Sequence, residues 1–381
     1  MNRARSIEAF LARHGFAAAR AEPLAQDASF RRYLRLIGGP RPAVLMDAPP
    51  PEDIRPFVRI AAHLGRIGIT VPEIIAADES EGLLIEEDLG DELYSIIIAG
   101  TKVRTTAVKR LGAKALKRAM KQANPLPQGE GEPSSSSSSP ASSLSFSSST
   151  FSSHALLFNS AVDVLVAIQR VTAPSTLPKW DAAAMASAAL ATLFDWWWPA
   201  MFSSPAPDAA REDFAVAFDA MLAPVAAGPT CFVHRDFFAG NLIWLPKRSG
   251  VRRVGVLDFQ SAAIGHPAYD LVSLLQDARR EIPDAIANRA ITRYLAARPE
   301  LHPTEFRAAY AACAAQRHLR VATQWVRLAR RDSRPDYLVH GPRTWRLLEQ
   351  AVREPAAAPL AAALDRWIPP VRRANPPDPA A

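Results

Sequence analysis

Along the first ninety residues the hydrophobic pattern changes period several times. From Ile7 to Phe16 the spacing predicts a short helix that stops at Gly15. Phe30 to Leu36 alternates like a strand, with Arg32, Leu34 and Leu36 on one face, and Gly38-Gly39-Pro40 turns it into a returning strand, Ala43 to Met46. Between Pro56 and Leu64, Phe57, Ile60, Ala61 and Leu64 fall on one helical face. Glu73 to Ala77 and Leu83 to Glu86 flank the turn Asp78 to Gly82 and predict a second hairpin. The order β-β-β-α-β-β then stops. From Tyr94 onward the pattern is helical, broken by two motif loops. A β-rich front and a helical back predict an α+β protein of two lobes with a cleft between them. Residues 1–87 would form the N-lobe and 88–381 the C-lobe.

Residues 124–153 break the periodicity. A Pro- and Gly-rich lead enters a stretch in which fourteen of the twenty residues 134–153 are Ser, too few apolar groups to offset the entropy of ordering. They are expected to form a disordered surface loop, with helical periodicity resuming at Ala155. The preceding stretch, 101–123, holds eight Lys or Arg and no acid. It reads either as a basic amphipathic helix for an anionic surface or as a solvated insertion, so that about 100–153 is an insertion in the C-lobe. Its charge also explains the excess of the chain: net charge is +7, but without 101–123 the count is 37 basic against 38 acidic. Nucleic-acid binding is therefore not expected. No run of 18 uncharged apolar residues predicts a membrane span, and the charged start lacks an apolar signal core. The two cysteines, Cys231 and Cys313, make no metal spacing or disulfide framework, so reduced thiols in the cytoplasm are expected.

The chemistry lies in two loops. The first follows the apolar run Cys231-Phe232-Val233 and reads His234-Arg235-Asp236, with Asn241 five residues beyond the Asp. The second follows Val254-Gly255-Val256-Leu257 and begins at Asp258. An Asp, an Asn and a second Asp in this order suit ATP-dependent phosphoryl transfer. A hydroxyl is a poor nucleophile, and Asp236 is the candidate base that orients it and takes its proton. Asn241 and Asp258 are the candidate Mg²⁺ ligands, one neutral and one anionic. His234 and Arg235 are expected to orient the loop, by hydrogen bonds and an ion pair.

With Leu257-Asp258-Phe259, Gly265 and Tyr269-Asp270-Leu271 added, the chain resembles the aminoglycoside phosphotransferase superfamily, which has a protein-kinase-like fold. Further segments are similar to its anomeric N-acetylmuramate/N-acetylglucosamine kinase branch: Gln26 to Tyr33, Leu45 to Pro50, Glu87 to Asp91, Asn241 to Pro246, Ser273 to Arg279, and Leu328 to Asp332 with Tyr337-Leu338. The resemblance covers the chain outside about 100–153. It implies a nucleotide cleft between the lobes and transfer of the ATP γ-phosphate to an anomeric sugar hydroxyl in cell-wall recycling, by a cytoplasmic monomer. Asp236 carries over as base and Asn241 and Asp258 as Mg²⁺ ligands. Asp270 carries over as an acid that braces the catalytic loop or acts directly. Ser29, Arg31, Arg32, Met46, Glu86 and Glu87 are the expected nucleotide-side residues. Met46 stands where a protein kinase has its third-strand Lys, and no G-x-G-x-x-G loop is present. Arg31 or Arg32 is then the candidate phosphate contact. Phe238 and Ser261 stand where the branch often has His and Asp, which bears on the acceptor. Trp196, Trp197 and Trp198 either pack in the core or stack on a sugar. Competing readings are an aminoglycoside- or choline-type phosphotransferase and a catalytically silent interaction protein.

Overall fold

The computed structural model describes residues 3–24, 31–100 and 148–376. Ser29 and almost all of the expected insertion lie outside the described residues.

The front of the chain folds as its periodicity predicts. After helix α1 (Arg3–Arg13) come β1 (Arg20–Pro23), β2 (Arg32–Ile37), β3 (Ala43–Asp47), helix α2 (Arg55–Arg66), β4 (Ile74–Asp78) and β5 (Leu83–Glu87). The strands make one antiparallel sheet in the order β1-β2-β3-β5-β4. One sheet face packs Leu36, Leu45, Leu83 and Ile85 against Phe10 and Leu11 of α1. The opposite face, with Tyr33, Met46 and Leu84, joins the large core that runs through the rest of the molecule. α1 starts and stops earlier than expected. Gly15 turns the chain at φ 82°, and the N–H of Phe16 returns to the Leu11 carbonyl at 2.8 Å, so Phe16 folds back into the core instead of ending the helix. Gly82 has φ 64°, and a Cβ there would lie 2.0 Å from the Ala48 carbonyl oxygen, so the second hairpin admits only glycine without rearrangement.

The back is helical around α10 (Pro303–Arg331). Against it pack α5 (Ala182–Thr192), α7 (Asp208–Ala227), α8 (Ala268–Leu275) and α11 (Gly341–Ala351). The remaining α-helices of the described residues are α3 (Tyr94–Ile98), α4 (Ser148–Gln169), α6 (Trp198–Phe202), α9 (Asp284–Ala297) and α12 (Ala358–Trp367). α4 begins at Ser148, so the last residues of the Ser-rich stretch are helical and not loop. Trp197 and Trp198 are 0% and 5% exposed, and Trp197 donates from Nε1 to the Ala374 carbonyl at 2.9 Å. Core packing therefore accounts for both, while Trp196 is half-buried.

Candidate active site

Short strands set the two motif loops. β7 (Cys231–Val233) leads into the first and pairs with β10 (Ala263–Gly265), which also runs parallel to β6 (Lys179–Trp180). β8 (Leu242–Trp244) and β9 (Val254–Val256) form a hairpin whose register sets Leu242 opposite Val256. Asn241 precedes β8 and Asp258 follows β9, so this register brings them together. The Leu257 amide donates to the Asn241 carbonyl at 2.9 Å, and Asn241 Nδ2 lies 3.4 Å from Asp258 Oδ2.

Each loop contains a left-handed residue with a side chain, Arg235 at φ 74° and Asp258 at φ 58°. Such backbone needs outside support. Asp270, fully buried, supplies it in the first loop. Its Oδ2 accepts from the His234 amide at 2.6 Å and its Oδ1 from the Arg235 amide at 2.9 Å. His234 then couples the loops. Its Nε2 bonds the Leu257 carbonyl at 2.9 Å, and its Nδ1 accepts from the Asp236 amide at 3.3 Å. Burial lowers the pKa of this imidazole, consistent with a neutral ring carrying its proton on Nε2. In the second loop Phe259 is fully buried and stacks on Phe57 of α2, with ring centroids 4.5 Å apart.

Asp236 itself is half-buried. Burial raises its pKa, but the guanidinium groups of Arg317, Arg320 and Arg235 outweigh that and hold the carboxyl below its ordinary range. It is therefore ionised at neutral pH, the state a base requires. Asn241 donates through Nδ2 to both the Asp236 carbonyl, at 2.9 Å, and Asp258, which leaves its side-chain oxygen as the atom for a cation. No group of three His, Cys, Asp or Glu suited to a metal occurs among the described residues. The donor set of one amide and one carboxylate still fits Mg²⁺, which keeps waters and phosphate oxygens in its shell.

On the sheet side the two candidate arginines separate, because successive strand residues face opposite ways. Arg32 ion-pairs with Asp47, which also binds Arg3 at 2.5 Å. Arg31 is 7% exposed, and its Nε is 3.0 Å from Glu52 Oε2. Tyr33, two residues on, lies opposite Met46, and Met46 opposite Leu84, in one row across the sheet. Burial, Glu86 and Asp258 together push the Tyr33 phenol up. Glu86 is 5% exposed with Oε2 unpartnered, and burial pushes its pKa up to about 8 against the pull of Arg31. Glu87 instead reaches Arg248 at 2.8 Å. Beside that pair Thr70 bridges Gly255, and the Val256 amide donates to the Thr70 carbonyl at 2.9 Å.

Sequence reasoning erred on Arg235 and missed its neighbours. Among the described residues its guanidinium makes no ion pair with a carboxylate. It lies 3.9 Å from the ring centroid of Trp180 and donates to the Ser261 carbonyl at 3.3 Å. Trp180, Tyr269, Arg317 and Arg320 complete that surround. Arg317 donates to the Arg235 carbonyl at 3.1 Å, fixing the loop from behind. Phe238 is buried under Arg279, whose guanidinium carbon is 4.7 Å from the ring centroid, and Gly240 leaves room for the ring.

The family model described as "Phosphotransferase enzyme family" matches residues 20–129 and 152–306. A protein of Caulobacter vibrioides named N-acetylmuramate/N-acetylglucosamine kinase is 34% identical over 400 residues, covering 95% of each chain. A protein of the same name from Pseudomonas aeruginosa is 32% identical, covering 89% of this chain and 86% of its own. Among solved structures, a choline/ethanolamine kinase family protein from Mesorhizobium loti superposes with a TM-score of 0.55 at 13% identity. It covers 96% of this chain and 99% of its own, a likeness of fold.

Proposed function

The chain belongs to the phosphotransferase enzyme family, and from that premise we propose that it is a sugar kinase that transfers the γ-phosphate of ATP to the anomeric hydroxyl of N-acetylmuramate or N-acetylglucosamine. The observation that carries this is the meeting of Asp236, Asn241 and Asp258 in two loops locked by Asp270 and His234. Asp236 orients the sugar hydroxyl and takes its proton as the phosphoryl group leaves ATP. Asn241 and Asp258 would hold Mg²⁺, which neutralises phosphate charge when bound. Arg31 is the phosphate contact, because it shares the Tyr33 side of the sheet and Glu52 fixes its guanidinium. Ser29 in the preceding loop, Met46 and Glu86 line the nucleotide side, and Glu87 acts at the lobe junction through Arg248. On this reading residues 1–87 bind nucleotide and 88–381 carry the base and the acceptor, in a cytoplasmic monomer that recycles cell-wall sugar.

An aminoglycoside acceptor is polycationic and would meet Arg235, Arg317 and Arg320 around Asp236, which disfavours it. ADP release should rise when N-acetylmuramate or N-acetylglucosamine is added to enzyme and MgATP. Asp236→Asn should lower kcat by about 10²–10⁴-fold. Turnover of kanamycin or choline with both sugars inert would refute the assignment.

A further inference from the structure

Beside Asp236 lie three cations, Arg235, Arg317 and Arg320, against which the described residues set only Asp236 and Asp270. Arg235 and Arg320 both approach Trp180, their guanidinium carbons 3.9 Å and 5.9 Å from its ring centroid. Arg317 and Arg320 both reach the Tyr269 hydroxyl, each at 3.4 Å. Like charges this close repel unless an anion lies among them. The nearest carboxylates are committed: Asp236 is the base, and Asp270 binds two backbone amides. No carboxylate of the described residues forms a salt bridge with Arg235, Arg317 or Arg320. Three buried donors of the group also lack acceptors among the described residues: Arg235 Nε, Arg320 Nε and Trp180 Nε1, the last on a side chain only 5% exposed. Leaving buried donors unpaired is costly, and guanidinium donors fit a planar carboxylate.

Resting on the sugar-kinase reading, we propose that Arg320, with Arg235 and the Trp180 N–H, forms a carboxylate subsite for the acceptor. The ligand is the lactyl carboxylate of N-acetylmuramate, the group that N-acetylglucosamine lacks. Arg320 is the specificity-determining residue. Arg235 and Arg317 also hold the catalytic loop, whereas the hydrogen bonds of Arg320 go to the Gln324 side chain and the Tyr269 hydroxyl.

The test compares kcat/KM for the two sugars in wild type, Arg320→Gln and Arg320→Lys. Loss of a charge-assisted contact should lower the N-acetylmuramate to N-acetylglucosamine ratio by about 10–100-fold in Arg320→Gln, mainly through KM. Arg320→Lys, which keeps the charge, should recover part of it. Any misfolding, or any effect through Asp236, strikes both sugars and cancels in the ratio. An unchanged ratio in Arg320→Gln with both sugars turned over would overturn the subsite and leave the kinase assignment standing. If wild type turns over neither sugar, the assignment fails and takes the subsite with it.

Discussion

Both oxygens of Asp270 end on backbone amides, and this explains how Arg235 keeps a left-handed backbone one residue before Asp236. The side chain acts by positioning. In Asp270→Ala two buried N–H groups lose their acceptor, at about 1–3 kcal/mol each. Asp270→Asn keeps one acceptor oxygen and should lose roughly half as much. Because small displacements of a base are expensive, we expect kcat to fall by about 10²-fold in Asp270→Ala while the KM for ATP changes little. Urea denaturation and steady-state kinetics check this, and wild-type kcat in a folded Asp270→Ala protein would refute the bracing role. Asp270, Asp236, Asn241 and Asp258 were legible in the sequence because they fall within two local motifs. Trp180, Arg317 and Arg320 were not. They stand far from the motifs in sequence, and an Arg on a long helix looks the same whether it faces water or a base.

At the scale of elements, α2 joins the sheet to the second motif loop. Phe57 is 3% exposed and stacks on Phe259, the residue that follows Asp258. Phe57→Ala should open a cavity costing about 3–5 kcal/mol, and the freed Phe259 should loosen the loop that carries Asp258. Phe57→Leu, which keeps most of the volume, should cost less than half as much. Chemical denaturation of both variants provides the check, and equal loss in the two would show that the aromatic stack, not the buried volume, carries the contribution. The periodicity of α2 gave its buried face, Phe57, Ile60, Ala61 and Leu64, and most strand limits to within a residue or two. It failed at the start of α4. Ser has modest helix propensity, and from Ala155 onward buried side chains hold the helix that Ser148 begins. The pattern also gave no sign that Thr70 would add a bridge to β9, since cross-lobe pairing leaves no period in either segment.

For the whole molecule, buried titratable groups set opposing pH limits. Burial pulls His266 down to about 4 and His318 to about 3, from an ordinary value of 6.5. Below about pH 6.5 the unfolded chain therefore binds protons that the folded chain refuses, and stability falls as pH drops. Glu86 works the other way. Its pKa is raised from 4.5 to about 8, chiefly by burial, so the folded chain keeps a proton that the unfolded chain has released. Its contribution is complete below about pH 4.5 and is lost as pH rises through 8. Between pH 6.5 and 8 the histidines of the unfolded chain are mostly neutral, so Glu86 dominates the slope. One pKa unit corresponds to about 1.4 kcal/mol, so stability should fall by about 2 kcal/mol over that interval. Glu86→Gln removes the ionisation at constant shape. Its stability in urea, measured without nucleotide, should be nearly flat from pH 6.5 to 8 and should exceed that of wild type increasingly toward pH 8. Parallel curves for the two proteins would show that Glu86 is already ionised in the folded state, a buried anion rather than a neutral acid.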